Sequence, residues 1–308
     1  MQLLREYQEM NPEDHETVQG PPTPLEFMRM LHISRPVLFE KCPLPLQATW
    51  TDDYLSTNVG DIRVAVTRDG RADALVDDEN GKTYFVEPLE ERMPMKELLD
   101  RLHKDARTEN ATDEVVYLQS QNDNLDFATH ITDGEFKNIR SDIPPDITWA
   151  TEALGRDPDA VNIWVGNHRS ATSVHCDPYE NIYAVVRGTK IFTLFPPTEG
   201  WCLQEREYPH ARWSRSQEGT LILTPTSQGP VRWSSIRDPT QDLPPTRPIK
   251  VVVREGQMLY LPVGWWHYVQ QIPGQTGVVI AVNYWYDQEM TGHNWVFRNF
   301  LRSLPSVV

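Results

Sequence analysis

The chain has 308 residues, a formal net charge of −15, and 39% hydrophobic against 24% charged residues. That balance supports a buried core and excludes wholesale disorder, while the acidic excess disfavours a phosphate-backbone partner, which needs a basic face. Three scattered cysteines, Cys42, Cys176 and Cys202, lack CxxC spacing; they exclude a disulfide framework and a zinc ribbon and suit a reducing compartment.

The first residues carry early charges and no apolar run of signal-peptide or membrane-span type. A cytoplasmic or nuclear protein is therefore expected, with neither a membrane nor a nucleic-acid partner. Its charge suits a basic protein or peptide partner. Residues 3–10 and 23–31 read as helices separated by Gly20-Pro21-Pro22-Thr23-Pro24, with Pro24 fitting a first helical turn. Short strands follow at 35–39 and 61–67, the second closed by the turn Asp69-Gly70. Residues 95–104 form a helix with Leu98, Leu99 and Leu102 on one face, and 115–119 form a strand. Residues 121–160 read as loop-rich, broken by Pro144-Pro145 and Pro158.

Beyond that point the pattern changes to eight short strands, at 161–166, 173–177, 182–187, 190–195, 249–254, 257–261, 266–271 and 277–286. Eight such strands indicate a closed or sandwiched antiparallel structure. Residues 196–248, rich in Pro, Arg, Trp, Thr and Ser, interrupt the series and read as a long loop, functional or partly disordered. A last helix, 289–304, carries Trp295, Phe297, Phe300 and Leu301, which suit packing on the barrel or a homodimer through the terminal helices. The division expected is an N-terminal helical and β flank (1–120), a β core (121–287) with an insertion at 198–248, and a C-terminal helix (288–308).

The chemistry centres on Thr172-Ser173-Val174-His175-Cys176-Asp177. Strand side chains alternate faces, so His175 and Asp177 share a side and Cys176 points away. An imidazole and a carboxylate side by side supply two ligands to a first-row metal. His267, in the seventh strand within Gly264-Trp265-Trp266-His267, offers the third. Two His and one Asp make a facial triad that leaves positions open on iron(II), and the same donors suit manganese or zinc. Taken singly, a His-x-Asp tripeptide is more often a surface pair, and residues such as His15, His103 and His210 are of that ordinary kind. Lys190 heads the apolar strand Lys190-Ile191-Phe192-Thr193-Leu194-Phe195; buried, it needs an anion, and on an edge it discourages aggregation. No Gly-x-Ser-x-Gly is present, and Cys176 is not placed as a nucleophile, so the residues do not support a peptidase.

Together these segments resemble the Jumonji-C family of iron(II)- and 2-oxoglutarate-dependent oxygenases. The resemblance runs through His175-Cys176-Asp177-Pro178-Tyr179-Glu180-Asn181, Gly188-Thr189-Lys190 and Leu194-Phe195-Pro196-Pro197. It continues through Gly256-Gln257-Met258-Leu259-Tyr260-Leu261-Pro262, Trp266-His267 and Ala281-Val282-Asn283-Tyr284-Trp285-Tyr286. Upstream it takes in Arg35-Pro36-Val37, Asp69-Gly70-Arg71-Ala72-Asp73-Ala74 and Tyr117-Leu118-Gln119, so it covers most of the chain. The insertion 198–248 does not align, which leaves substrate choice and assembly open.

The resemblance implies a mainly β fold with flanking helices, a double-stranded β-helix of the jelly-roll, cupin-like type. It implies Fe(II), 2-oxoglutarate and O2 as cofactor and co-substrates, with His175, Asp177 and His267 as metal ligands and catalytic residues. Lys190 would pair with the distal carboxylate of 2-oxoglutarate, and Thr172 and Tyr117 would donate hydrogen bonds to it. Asn181 and Asn283 would lie near the iron and co-substrate, and Trp285 and Tyr179 would line the pocket. The likeness is strongest to small hydroxylases of lysyl side chains in developmentally regulated, translation-associated GTP-binding proteins, which release succinate and CO2. Asp123, Tyr179 and Glu180 are the side chains expected to receive a substrate ammonium group. Demethylation of methyl-lysine or methyl-arginine, hydroxylation of Asn, Asp or Arg, and a non-catalytic cupin-like scaffold are the alternatives.

Overall fold

Local sequence chemistry sets the flanking helices. Thr23 caps helix α2 (Pro24–Ile33): its hydroxyl accepts from Glu26 N at 3.3 Å, while its own N–H donates to the Glu26 carboxylate at 2.8 Å. Helix α1 spans Gln2–Met10 and a short α3 Asp52–Asn58, while α4 (Met95–Arg107) buries Met95, Leu98, Leu99 and Leu102. Helix α5 (Thr148–Leu154) stands within the stretch read as loop, and α6 (Gly292–Ser303) closes the chain. These details come from a computed structural model that describes residues 2–46, 49–107, 114–119, 125, 134–241 and 246–304.

The eight expected core strands all form: β1 (Ala160–Gly166), β2 (Ala171–Cys176), β3 (Tyr179–Arg187), β4 (Thr189–Phe195), β5 (Ile249–Arg254), β6 (Met258–Leu261), β7 (Trp266–Ile272) and β8 (Val279–Asp287). They divide into two sheets. One has the order β6-β3-β8-β1 at its centre and extends to nine strands. On one side it adds Val37–Glu40 and Glu16–Gln19; on the other it adds Val115–Gln119, Asp61–Thr67 and Leu89–Pro94. The facing five-stranded sheet runs β5-β4-β7-β2 and ends on Arg71–Ala72. All pairings among the eight are antiparallel. This is the cupin-like jelly roll, with a core that includes Phe192, Leu194, Val251, Leu259 and Ala281 between the sheets.

The insertion departs from the loop reading. It forms strands Glu205–Tyr208, His210–Arg215, Leu221–Pro225 and Val231–Ser234. Strand His210–Arg215 pairs in parallel with Thr83–Glu87 of the N-terminal flank, completing a four-stranded sheet with Ala74–Asp77 and Leu221–Pro225. Glu205–Tyr208 pairs with Val231–Ser234 and His210–Arg215 with Leu221–Pro225 inside the insertion, while the ladder of His210–Arg215 with the flank joins segments far apart in sequence, which no local periodicity reports. Helix α6 buries Leu301 but leaves Val296, Phe297 and Phe300 exposed. No described helix is long and apolar enough to cross a membrane.

Candidate active site

One irregularity in pairing builds the site. Thr172 of β2 lies opposite Val269 of β7, yet His175 lies opposite His267, so β2 carries one residue more than its partner over that interval. Such a bulge rephases the alternation and re-aims side chains. It sets the two histidines directly across the ladder from each other, with ring centroids 4.2 Å apart. It also brings Thr172 to the interior cavity that His175 and Asp177 line, although strict alternation would turn Thr172 to the opposite face. Just beyond β2, the Asp177 carbonyl accepts from Gly264 N at 3.0 Å, tying the carboxylate segment to the turn that leads into His267.

The triad is formed as the spacing implied. Asp177 Oδ1 is 3.5 Å from His175 Nε2, and Asp177 Oδ2 is 3.5 Å from His267 Nε2; one donor atom from each residue lies within 4.8 Å of the others. Each imidazole is oriented through its other nitrogen. His175 Nδ1 lies 2.8 Å from the Ser173 carbonyl, and His267 Nδ1 lies 3.0 Å from the Trp265 carbonyl. With Nδ1–H donating to a carbonyl, the Nε2 lone pair of each ring faces the carboxylate, which is the tautomer a metal ligand needs. These residues fit a divalent metal.

Electrostatics in the cluster are strongly coupled. Burial pushes the Asp177 carboxyl up, but His175 and then His267 outweigh it and hold it below its ordinary range. Burial opposes charge on His175 as well, yet the Asp177 carboxylate prevails and raises its pKa. His267, buried and facing His175, is pushed down to about 4.

Lys190 enters the interior from β4 at 1% exposure. Its Nζ donates to the Tyr117 hydroxyl at 3.1 Å and lies 5.3 Å from the Tyr117 ring centre and 6.0 Å from that of Tyr183. Tyr117 reaches it from the opposite sheet, and Thr172 adjoins the same hydroxyl. No carboxylate among the described residues pairs with Lys190, and burial lowers its pKa to about 7. A buried ammonium beside two hydroxyls and without a counter-charge is a receptor for an anion, so the residues fit a dicarboxylate co-substrate.

Asn181, Asn283 and Trp285 gather beside the triad, with Tyr179 packed on Trp285. Asn283 Nδ2 donates to Asn181 Oδ1 at 3.2 Å, while Asn283 Oδ1 accepts from Trp164 Nε1 at 2.7 Å. Both asparagines and Trp285 line the interior cavity with the triad. Tyr179 stacks on Trp285 with ring centres 5.0 Å apart and donates to Asp159 at 3.2 Å. Glu180 does not face a substrate: its carboxylate braces the neighbouring strands, accepting from Tyr260 OH at 2.8 Å and Val263 N at 3.1 Å. Asp123 lies outside the described residues. His103 and His210 have ordinary partners, Asp52 at 2.6 Å and Thr226 at 2.7 Å.

Outside the triad, a mouth cavity of about 280 Å³ is walled by side chains that sequence reasoning did not single out, chiefly Asp73, Phe85 and Trp233. Trp233 belongs to the insertion and lies parallel to the His175 ring at 6.2 Å between centres.

Two facing antiparallel sheets with a His-Asp-His cluster and a buried lysine between them define a cupin-like oxygenase architecture. The cupin-like domain model matches residues 23–292. The chain belongs to this family in its Jumonji-C form, and with it to the 2-oxoglutarate-dependent dioxygenases. It is 36% identical over 281 residues to the human bifunctional peptidase and (3S)-lysyl hydroxylase JMJD7, covering 87% of this chain and 83% of that protein. It is 35% identical over 305 residues to the Arabidopsis thaliana lysine-specific demethylase JMJ32, covering 92% and 84%. It is 33% identical over 313 residues to JmjC domain-containing protein E of Dictyostelium discoideum, covering 91% and 86%.

Proposed function

We propose that the chain is an Fe(II)- and 2-oxoglutarate-dependent protein hydroxylase acting on a lysyl side chain. The observation that carries the reading is the pairing of an oriented His175-Asp177-His267 triad with the uncompensated Lys190 ammonium inside one barrel. The JMJD7 name supports lysyl hydroxylation, and the substrate class we propose from the sequence motifs is a translation-associated GTP-binding protein.

His175, Asp177 and His267 would hold the metal, and Lys190, Tyr117 and Thr172 would hold the far carboxylate of 2-oxoglutarate. Bound iron(II) would activate dioxygen, the oxidant, with 2-oxoglutarate as the two-electron co-reductant, so that one oxygen atom would enter a substrate C–H bond and the other succinate, with release of CO2. The chain's own contribution is positional. The carbonyls of Ser173 and Trp265 fix the imidazole tautomers, and the Asn181–Asn283–Trp164 chain holds polar groups rigidly beside the triad. The apolar walls Phe192, Val269 and Trp285 limit water in the interior.

The test is succinate release from 2-oxoglutarate with a lysyl-peptide library, followed by mass spectrometry. Succinate with a product heavier by one oxygen supports the reading. Succinate with formaldehyde and a methylated peptide shortened by one methyl group would establish demethylation, the activity in the JMJ32 name. Metal binding without 2-oxoglutarate consumption by any peptide would leave a scaffold.

A further inference from the structure

We propose that Asp73 is the specificity-determining carboxylate of the substrate site, receiving the ammonium group of the target lysyl side chain beside the contacting aromatic pair Phe85 and Trp233. This deepens, and rests on, the reading of the site as a lysyl hydroxylase.

Position is the first argument. Asp73 lines the same mouth cavity as His175 and Asp177, so a side chain entering that cavity meets these two members of the triad and Asp73 together. Availability is the second. Three carboxylates line this cavity: Asp73, Asp177 and Glu205. Asp177 belongs to the triad. Glu205 is neutralised by Arg232 at 3.1 Å and Arg302 at 3.2 Å. Asp73 has no arginine or lysine partner among the described residues and accepts one long hydrogen bond, from Gln119 Nε2 at 3.4 Å. A cation that enters is therefore drawn to Asp73 and not to the two acids already compensated.

The walls supply the third argument. Phe85 and Trp233 sit 4.7 Å apart between ring centres, and Trp233 continues to the His175 ring in a parallel arrangement. Aromatic faces solvate an alkyl stem and its ammonium head alike. The flank contributes Asp73 and Phe85 and the insertion contributes Trp233, so the subsite exists only because the insertion strands dock on the flank.

A competing explanation is local. Asp73 has φ of +55°, a left-handed conformation that Asp and Asn adopt more readily than other side chains with a Cβ. Turn geometry alone would be served equally by either residue, and Asp73→Asn separates the two: it keeps the turn and the shape and removes only the charge.

The experiment uses the full chain and two probes, Nα-acetyl-lysinamide and its uncharged analogue Nα-acetyl-norleucinamide, with binding followed by saturation-transfer NMR. Wild type should bind the lysine probe more tightly than the norleucine probe. Asp73→Asn should weaken the lysine probe about tenfold and leave the norleucine probe within about twofold, with an unchanged melting temperature. Trp233→Leu should weaken both. Equal lysine affinity in wild type and Asp73→Asn would overturn the assignment. A parallel turnover arm with lysyl peptides tests the reaction itself: loss of lysine binding in Asp73→Asn with no oxidation by wild type would retain the subsite and sink the hydroxylase reading. Oxidation of lysyl peptides with the same KM in both proteins would do the reverse.

Discussion

Lys190 shows what a functional site costs a core. Its ammonium sits at 1% exposure with one neutral hydrogen-bond partner, and burial lowers its pKa from 10.5 to about 7. The unfolded chain therefore holds this proton more tightly than the folded one, which penalises folding. The penalty is full below about pH 7, shrinks as pH rises, and is gone above the unfolded value. Lys190→Met removes it. In the absence of 2-oxoglutarate the variant should be more stable than wild type by about 1–4 kcal/mol at neutral pH, with the gap closing towards pH 10, as urea melts across pH would show. The same variant should lose 2-oxoglutarate binding by calorimetry. A variant less stable than wild type would mean that the ammonium is not a burden. A second pH effect belongs to His175. Burial opposes its protonation, but Asp177 prevails and raises its pKa, so protons compete with metal for Nε2; His267, held near 4, does not compete. Mn(II) affinity, read by electron paramagnetic resonance, should fall as pH drops through the raised His175 value. Asp177→Asn should weaken the metal at every pH and move that fall to lower pH.

At the scale of the element, the turn Asp69-Gly70 and the β2 bulge position most of the site. Gly70 has φ of +78°, and a Cβ there would lie 1.9 Å from the Arg169 carbonyl oxygen. Gly20 has nearly the same φ, +77°, with nothing within 4 Å of its Cβ position. The pair separates backbone strain from collision. Gly20→Ala should cost about 1 kcal/mol, and Gly70→Ala about 3 kcal/mol or more, measured by thermal unfolding; equal costs would show that the Arg169 loop yields freely. The turn at Asp69-Gly70 is legible in the sequence because Asp-Gly after an alternating strand carries its own geometry. His175, Asp177 and His267 are legible for a similar reason, since strand periodicity and residue chemistry agree there. Thr172 is legible only through family likeness, because a one-residue bulge leaves no mark on the hydrophobic pattern. The insertion strands are hidden because their alternation is obscured by exposed Arg and Pro, and the docking of His210–Arg215 on Thr83–Glu87 of the flank is a pairing no local pattern reports. Asp73 and Trp233 are hidden with them: neither is special until docking of insertion on flank brings them to one cavity.

Over the whole molecule, the net charge of −15 acts on two reactants of opposite sign. A basic peptide is drawn towards an acidic protein and 2-oxoglutarate, a dianion, is repelled; the local Lys190 charge, together with a metal held by the triad, favours the latter. Long-range attraction and repulsion are both screened by salt, with a Debye length falling from roughly 14 Å at about 50 mM to roughly 4 Å at about 500 mM. Contacts inside the barrel, such as Lys190 with a carboxylate, are screened much less because solvent ions do not enter. Raising salt across that range should therefore increase KM for a lysyl peptide with flanking basic residues severalfold, and leave KM for 2-oxoglutarate unchanged or lower. Steady-state succinate release at matched pH measures both constants, and a neutral-flanked lysyl peptide provides the control, since only its ammonium head would feel the field. If KM for the basic peptide stayed constant while that for 2-oxoglutarate rose, the overall acidic field would have no part in substrate capture, and recognition would rest on the mouth cavity alone.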